Sequence, residues 1–163
     1  SRACARSARS FSVNAEIGSV HCDNCGAGTG YAAFRMANRN GRIGDGYPVN
    51  VHVGEVYARG GGRGVFCVSE SGGAVIDRVD LADTGSNAIL LENCYNVTIA
   101  AESGRVEGPG DVRIAARDEF ANSADITLSN LTLIDTVLNE SPCGDNTTLL
   151  NNVFQSSTDN SCD

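Results

Sequence analysis

The feature that most constrains this chain is an internal repeat of short apolar alternations. They read AEIGSVHC (15–22), VHVGEVYA (51–58), VIDRVDLA (75–82), VTIAAESG (97–104), ITLSNLTL (126–133) and TLLNNVFQ (148–155). One apolar position aligns as Ile17, Val53, Ile76, Ile99, Leu128 and Leu150, with gaps of 36, 23, 23, 29 and 22 residues. Three residues on, a second column holds Val20, Val56, Val79, Leu131 and Val153; it breaks in the fourth repeat, where an insertion follows Ile99. Between these segments runs another alternating strand: AAFRMAN (32–38), GVFCVSE (64–70), AILLENC (88–94) and DVRIAAR (111–117). Its inward columns are Phe34, Val65, Ile89 and Val112, then Met36, Cys67, Leu91 and Ile114.

A unit of this length with three short strands is one coil of a parallel β-helix. No coil can bury its inward side chains alone; stacking coils about 4.8 Å apart buries them as ladders. A leucine-rich repeat would show fixed leucine spacing and a 3.6-residue period, and neither occurs. A β-sandwich would not repeat like residues one coil apart. The expectation is an all-β, right-handed parallel β-helix of about five to six coils in one domain, 1–163. Residues 1–12 and 143–163 form the ends, the latter a last coil and cap, and 13–142 hold the coils.

Asn38, Ser69 and Asn93 lie two residues past the Met36 column and suit an inward polar ladder at a bend. The segments 23–31, 39–50 and 101–110 exceed the repeat and should protrude as loops, where function tends to sit on a rigid scaffold.

Composition narrows the partners. A formal charge of −8 argues against nucleic acid and against an anionic membrane surface. No stretch approaches the ~20 apolar residues of a membrane-spanning helix. All twelve basic residues are arginine, which suits bidentate binding of carboxylates and is equally what a GC-rich genome produces. Seven cysteines, Cys4, Cys22, Cys25, Cys67, Cys94, Cys143 and Cys162, indicate an oxidising, secreted setting. Cys22 and Cys25 have no second cysteine pair or spaced histidines to complete a zinc site, so a structural role is expected. Cys143 and Cys162 flank the final coil and should bridge; Cys67, in an inward column, should be a buried thiol. The sequons at Asn96, Asn130, Asn139 and Asn146 carry little weight in a chain rich in Asn, Ser and Thr.

The motifs NVTI (96–99), AILLENC (88–94) and DITLSNLTL (125–133) resemble the right-handed β-helix proteins of the pectate-lyase superfamily over residues 13–155. The resemblance implies a secreted protein acting on or binding acidic polysaccharide, leaning to a lyase or glycoside hydrolase, with a non-catalytic glycan-binding, adhesin or structural module as the alternative. The arginine motif of the calcium-dependent lyases and the aspartate motifs of the polygalacturonases are missing. The chain is also short for such an enzyme, so a C-terminal piece of a longer protein, lacking an N-terminal portion or another chain, is an expectation too.

Alternation places Arg35, Phe66, Leu90 and Arg113 outward on one face, beside Glu92, Arg39, Glu70 and Arg117. A lyase needs a cation against the substrate carboxylate and a base for the neighbouring proton. Arg35, Arg113, Glu70 and Glu92 could take those catalytic roles, with Arg39, Arg117 and Phe66 binding substrate; the competing reading is a solvated charge ladder. A second group is His21, Tyr57 and Asp80, near Asp77 and Arg78. It could serve acid/base work or hold calcium, though no metal site is assigned. Thr98 and Thr127 stack outward over two coils, too short for an ice-binding array.

Overall fold

The computed structural model describes residues 14–162. The chain is all β, a parallel solenoid of about five turns, and among the described residues every strand pairing is parallel. One wall stacks β2 (Ala32–Met36), the first part of β4 (Arg63–Ala82), the first part of β5 (Ile89–Glu107), β6 (Val112–Ala115), β9 (Val137–Glu140) and β12 (Thr158–Asn160). The other two walls stack β1 (Ala15–Asp23), β3 (Val51–Arg59), the rest of β4 and β5, β7 (Ala124–Ser129) with β8 (Leu131–Ile134), and β10 (Thr148–Leu150) with β11 (Val153–Gln155).

The registers follow the sequence columns. Ile17, Val53, Ile76, Ile99 and Leu128 pair in turn. Phe34, Val65, Ile89 and Val112 form the facing stack, which Leu138 continues. Val53, Ile89, Ile99 and Leu128 have no solvent exposure. The ladders are thus the hydrophobic core itself, and removal of this surface from water drives the fold.

The bends are written mainly in Asn and Asp. Ten of the fifteen described non-glycine residues with positive φ are Asn or Asp, among them Asn96, Asn130 and Asn151. These side chains tolerate the left-handed region and bond locally. Asn130 Nδ2 donates to the carbonyls of Ala100 and Ala101 at 3.1 and 3.0 Å. Asn96 and Asn130 are sequons because a corner asparagine is followed by an alternating strand that places Thr two residues on.

Several expectations are corrected. In the last coil Leu149, not Leu150, stacks on Leu128; Leu150 pairs with Ser129 and is 53% exposed. Val153 likewise pairs with Thr132 and faces out. Either leucine of LL fits the alternation. The Asn corner decides: Leu131 N donates to Asn152 Oδ1, Asn152 Nδ2 donates to Leu128 O, and every pair in this coil keeps one offset of 21 residues. The insertion after Ile99 is absorbed as a bulge in β5, where residues 100–102 stand opposite the single Asp77 of β4, so residues 101–107 belong to β5, not to a loop. Gly104 then fills the gap in the Val79 column. A Cβ there would lie under 3.0 Å from side-chain atoms of Leu131, Ala100 and Val79.

Cys67 is not a thiol but is bridged to Cys94, with Cα atoms 6.2 Å apart. Cys22–Cys25 and Cys143–Cys162 are also bridged, the latter as expected; Cys4 lies outside the described residues, as do residues 1–12 of the expected N-terminal cap. Of the Asn38, Ser69 and Asn93 ladder only Asn93 is buried, because β4 carries an extra residue between Val68 and Ser71. The outward threonines extend to a third, Thr148. At the end of the inward Met36 column sits Glu140, whose Oε2 accepts from Gly144 N at 2.8 Å and the Thr147 hydroxyl at 2.7 Å, while Oε1 accepts from Cys162 N at 2.9 Å.

Candidate functional site

The first wall brings the predicted arginine–glutamate group onto one face. Arg35, Phe66, Leu90 and Arg113 pair in sequence along four rungs, so Arg35 and Arg113 stand ~14 Å apart at the usual strand spacing. Phe66 and Leu90 are only 8% and 7% exposed, and the Arg35 and Arg63 guanidiniums lie 5.2 and 4.4 Å from the Phe66 ring centre. The Phe66 ring, expected to bind substrate, is therefore roofed, and a ligand meets guanidinium rather than ring.

The face divides along the strand direction. At its far end the glutamates are engaged: Arg39 Nε donates to Glu70 at 3.2 Å, and Arg117 contacts Glu92 at 3.1 Å and Glu119 at 3.0 Å. Arg117 also donates to the Ser69 hydroxyl at 3.0 Å and lies over the Phe120 ring. Buried Asn93 fixes the Arg117 backbone, accepting from its N–H at 2.9 Å and donating to the carbonyls of Arg117 and Ala121.

At the near end the cations lack such partners. Six of the nine described arginines contact a carboxylate: Arg39, Arg42, Arg59, Arg78, Arg105 and Arg117. Among the described residues the other three are Arg35, Arg63 and Arg113, and all lie on this wall. Arg63 Nε donates to Asn87 Oδ1 at 3.0 Å, but its Nη1 is buried with no hydrogen-bond partner. Burial lowers the pKa of its guanidinium, and Glu92 opposes that shift. Asn87 Nδ2 donates in turn to Asp111, which also accepts from Asn139 at 3.2 Å. Arg63 is a site residue the strand alternation does not reveal, since alternation directs it inward. The signal was the spacing of 24 residues through Arg63, Asn87 and Asp111.

The second group is also in register: His21, Tyr57, Asp80 and Arg105 pair along four rungs. His21 stacks on Tyr57 with ring centres 4.1 Å apart. Asp80 is held by Arg59 at 2.9 Å, and Arg59 lies 4.4 Å over Tyr57. Asp77 instead accepts from His52 at 2.7 Å, whose other ring nitrogen meets Glu16 at 2.8 Å; Arg78 lies between Glu55 and Glu102. Among the described residues no three His, Cys, Asp or Glu side chains are grouped to hold a metal, and no helix is long and apolar enough to cross a membrane.

A third feature is an open groove of about 600 Å³ between the 39–50 loop and the corner at Tyr95. Its lining includes Tyr47, Tyr95, Asp45, Glu70, Asn96 and Asp125, with Arg42 at one side. The two rings lie 4.9 Å apart, tilted by 43°. Both hydroxyls are tied to the backbone, Tyr47 donating to Glu70 O and Tyr95 to Ala121 O. Burial raises both tyrosine pKa values, and the nearby Glu70 charge raises them further, while Arg42 opposes at Tyr47.

No protein-family model, no curated protein and no solved structure matches this chain.

Proposed function

We propose that the protein is a secreted, pectate-lyase-like solenoid that binds an acidic polysaccharide on the Arg35–Arg63–Arg113 face without cleaving it. The observation that carries this reading is the segregation of charge. In a chain of net −8, the described arginines without a carboxylate partner gather on one wall. A guanidinium fork matches a carboxylate bidentately, and the ~14 Å between Arg35 and Arg113 spans about three sugar units on the strand-spacing scale. Binding is preferred to cleavage because Glu70 and Glu92, the candidate bases, are each held by an arginine. Three disulfides suit an oxidising compartment.

The test is a titration with polyuronates while absorbance of unsaturated products is followed. Binding that weakens with salt, about tenfold loss on Arg113→Ala with an unchanged melting temperature, and no unsaturated product are expected. Appearance of product would establish lyase activity instead. Binding indifferent to Arg113→Ala would refute the site.

A further inference from the structure

We infer that the groove between the 39–50 loop and the Tyr95 corner is a second site, one that binds a glycan bearing protonated amino groups. It is independent of the acidic-glycan face, uses other side chains and selects the opposite charge.

The groove is already shaped. The 39–50 loop is held by the Ile43–Gly46 bridge, by Asn96 Nδ2 donating to Tyr47 O at 2.7 Å, and by Gly72 N donating to Asn40 O at 3.0 Å. The tyrosine hydroxyls are occupied by carbonyls, which fixes the rings and leaves their faces as the binding element. Fixed aromatic faces in a concave site attract a cation through the ring quadrupole and pack the C–H face of a sugar.

The charges give the sign. Asp45, Glu70 and Asp125 line the groove; Arg42 is turned into its own loop, donating to Gly44 O at 2.9 Å and Asp45 at 3.3 Å, and Arg39 donates to Glu70 at 3.2 Å, so three carboxylates stand against two guanidiniums. The potential is negative, so a uronate is repelled and an ammonium attracted. An amino sugar uses both halves of the lining, its ring on Tyr47 and Tyr95 and its ammonium and hydroxyl groups on the carboxylates. A lysine-rich peptide would use the carboxylates and the ring quadrupole but has no sugar C–H face to pack on the tyrosines.

The experiment is calorimetric titration of the protein with a glucosamine tetramer, its fully N-acetylated counterpart and tetralysine. The glucosamine tetramer should bind at least tenfold tighter than either of the others. Asp45→Asn should weaken it about threefold, the scale of one exposed charge. Tyr95→Leu should weaken it about five- to tenfold, the loss of a cation–aromatic contact. Asp45 is fully solvent-exposed, so its variant reads out binding even if Tyr95→Leu fails to fold. Equal binding of the N-acetylated tetramer, tetralysine binding as well as the amino sugar, or no effect of Asp45→Asn would overturn the inference.

Discussion

Replacing Ile99 with Ala should destabilise the protein by about 3–4 kcal/mol, whereas Thr98→Ala, one residue away, should cost about 0.5 kcal/mol or less. Ile99 is fully buried between Ile76 and Leu128 on neighbouring rungs. The change deletes three carbons, about 2.4 kcal/mol at roughly 0.8 kcal/mol per methylene. The stacked rungs above and below are fixed by backbone hydrogen bonds and cannot collapse far, so a residual cavity adds about 1 kcal/mol. Thr98 points outward in the same strand, paired with Thr127. Urea denaturation at constant slope measures the difference, and in a chain of this length it corresponds to a fall of about 10 °C in melting temperature. The two positions are neighbours of opposite parity in one strand, so the comparison reads the register. A loss under 1 kcal/mol for Ile99→Ala, or an equal loss for Thr98→Ala, would refute the stacking.

Two further outcomes follow from buried or bridged polar groups. Asn93→Ala should cost about 2–4 kcal/mol by stranding Arg117 N–H and the Arg117 and Ala121 carbonyls, and limited proteolysis should show new cleavage within 116–121; wild-type resistance there would contradict the assigned bonds. The His52 pKa is raised, first by its hydrogen bond to Asp77 and then by that to Glu16. Its bridge across β1, β3 and β4 therefore stabilises the fold fully below the unfolded value of about 6.5 and is lost as pH rises through the higher folded value. The urea midpoint of the wild type should fall relative to His52→Gln as pH rises from about 5.5 through the raised folded value; parallel curves would exclude the bridge.

Much of the fold was legible because coil stacking forces like residues to recur. Ile76, Ile99, Ile89 and Val112 could be placed from spacing alone. The last coil slipped by one because Leu149 and Leu150 satisfy alternation equally, and the choice rests with the Asn corner. The Cys67–Cys94 bridge was hidden because it joins an inward column to a bend, so its 27-residue separation is no multiple of the coil. The site was half legible. Alternation put Arg35, Phe66 and Arg113 on one face, yet it could not show that Phe66 would be roofed by arginines or that the bend would bring Arg63 to that ring. Tyr47 and Tyr95 belong to no column at all. A non-periodic loop, held by a bond from Asn96 to Tyr47 across 49 residues, makes their groove.

The central functional claim, that unpaired arginines on the first wall hold an acidic glycan, is tested most directly by two charge-matched double variants. Arg35→Ala with Arg113→Ala removes two exposed arginines without carboxylate partners; Arg59→Ala with Arg105→Ala removes two that contact Asp80. Net charge changes equally. Polyuronate affinity at one fixed salt concentration should fall about fiftyfold or more for the first pair and about twofold or less for the second. Equal losses for the two pairs would mean that binding answers to overall charge and that the first wall is no site.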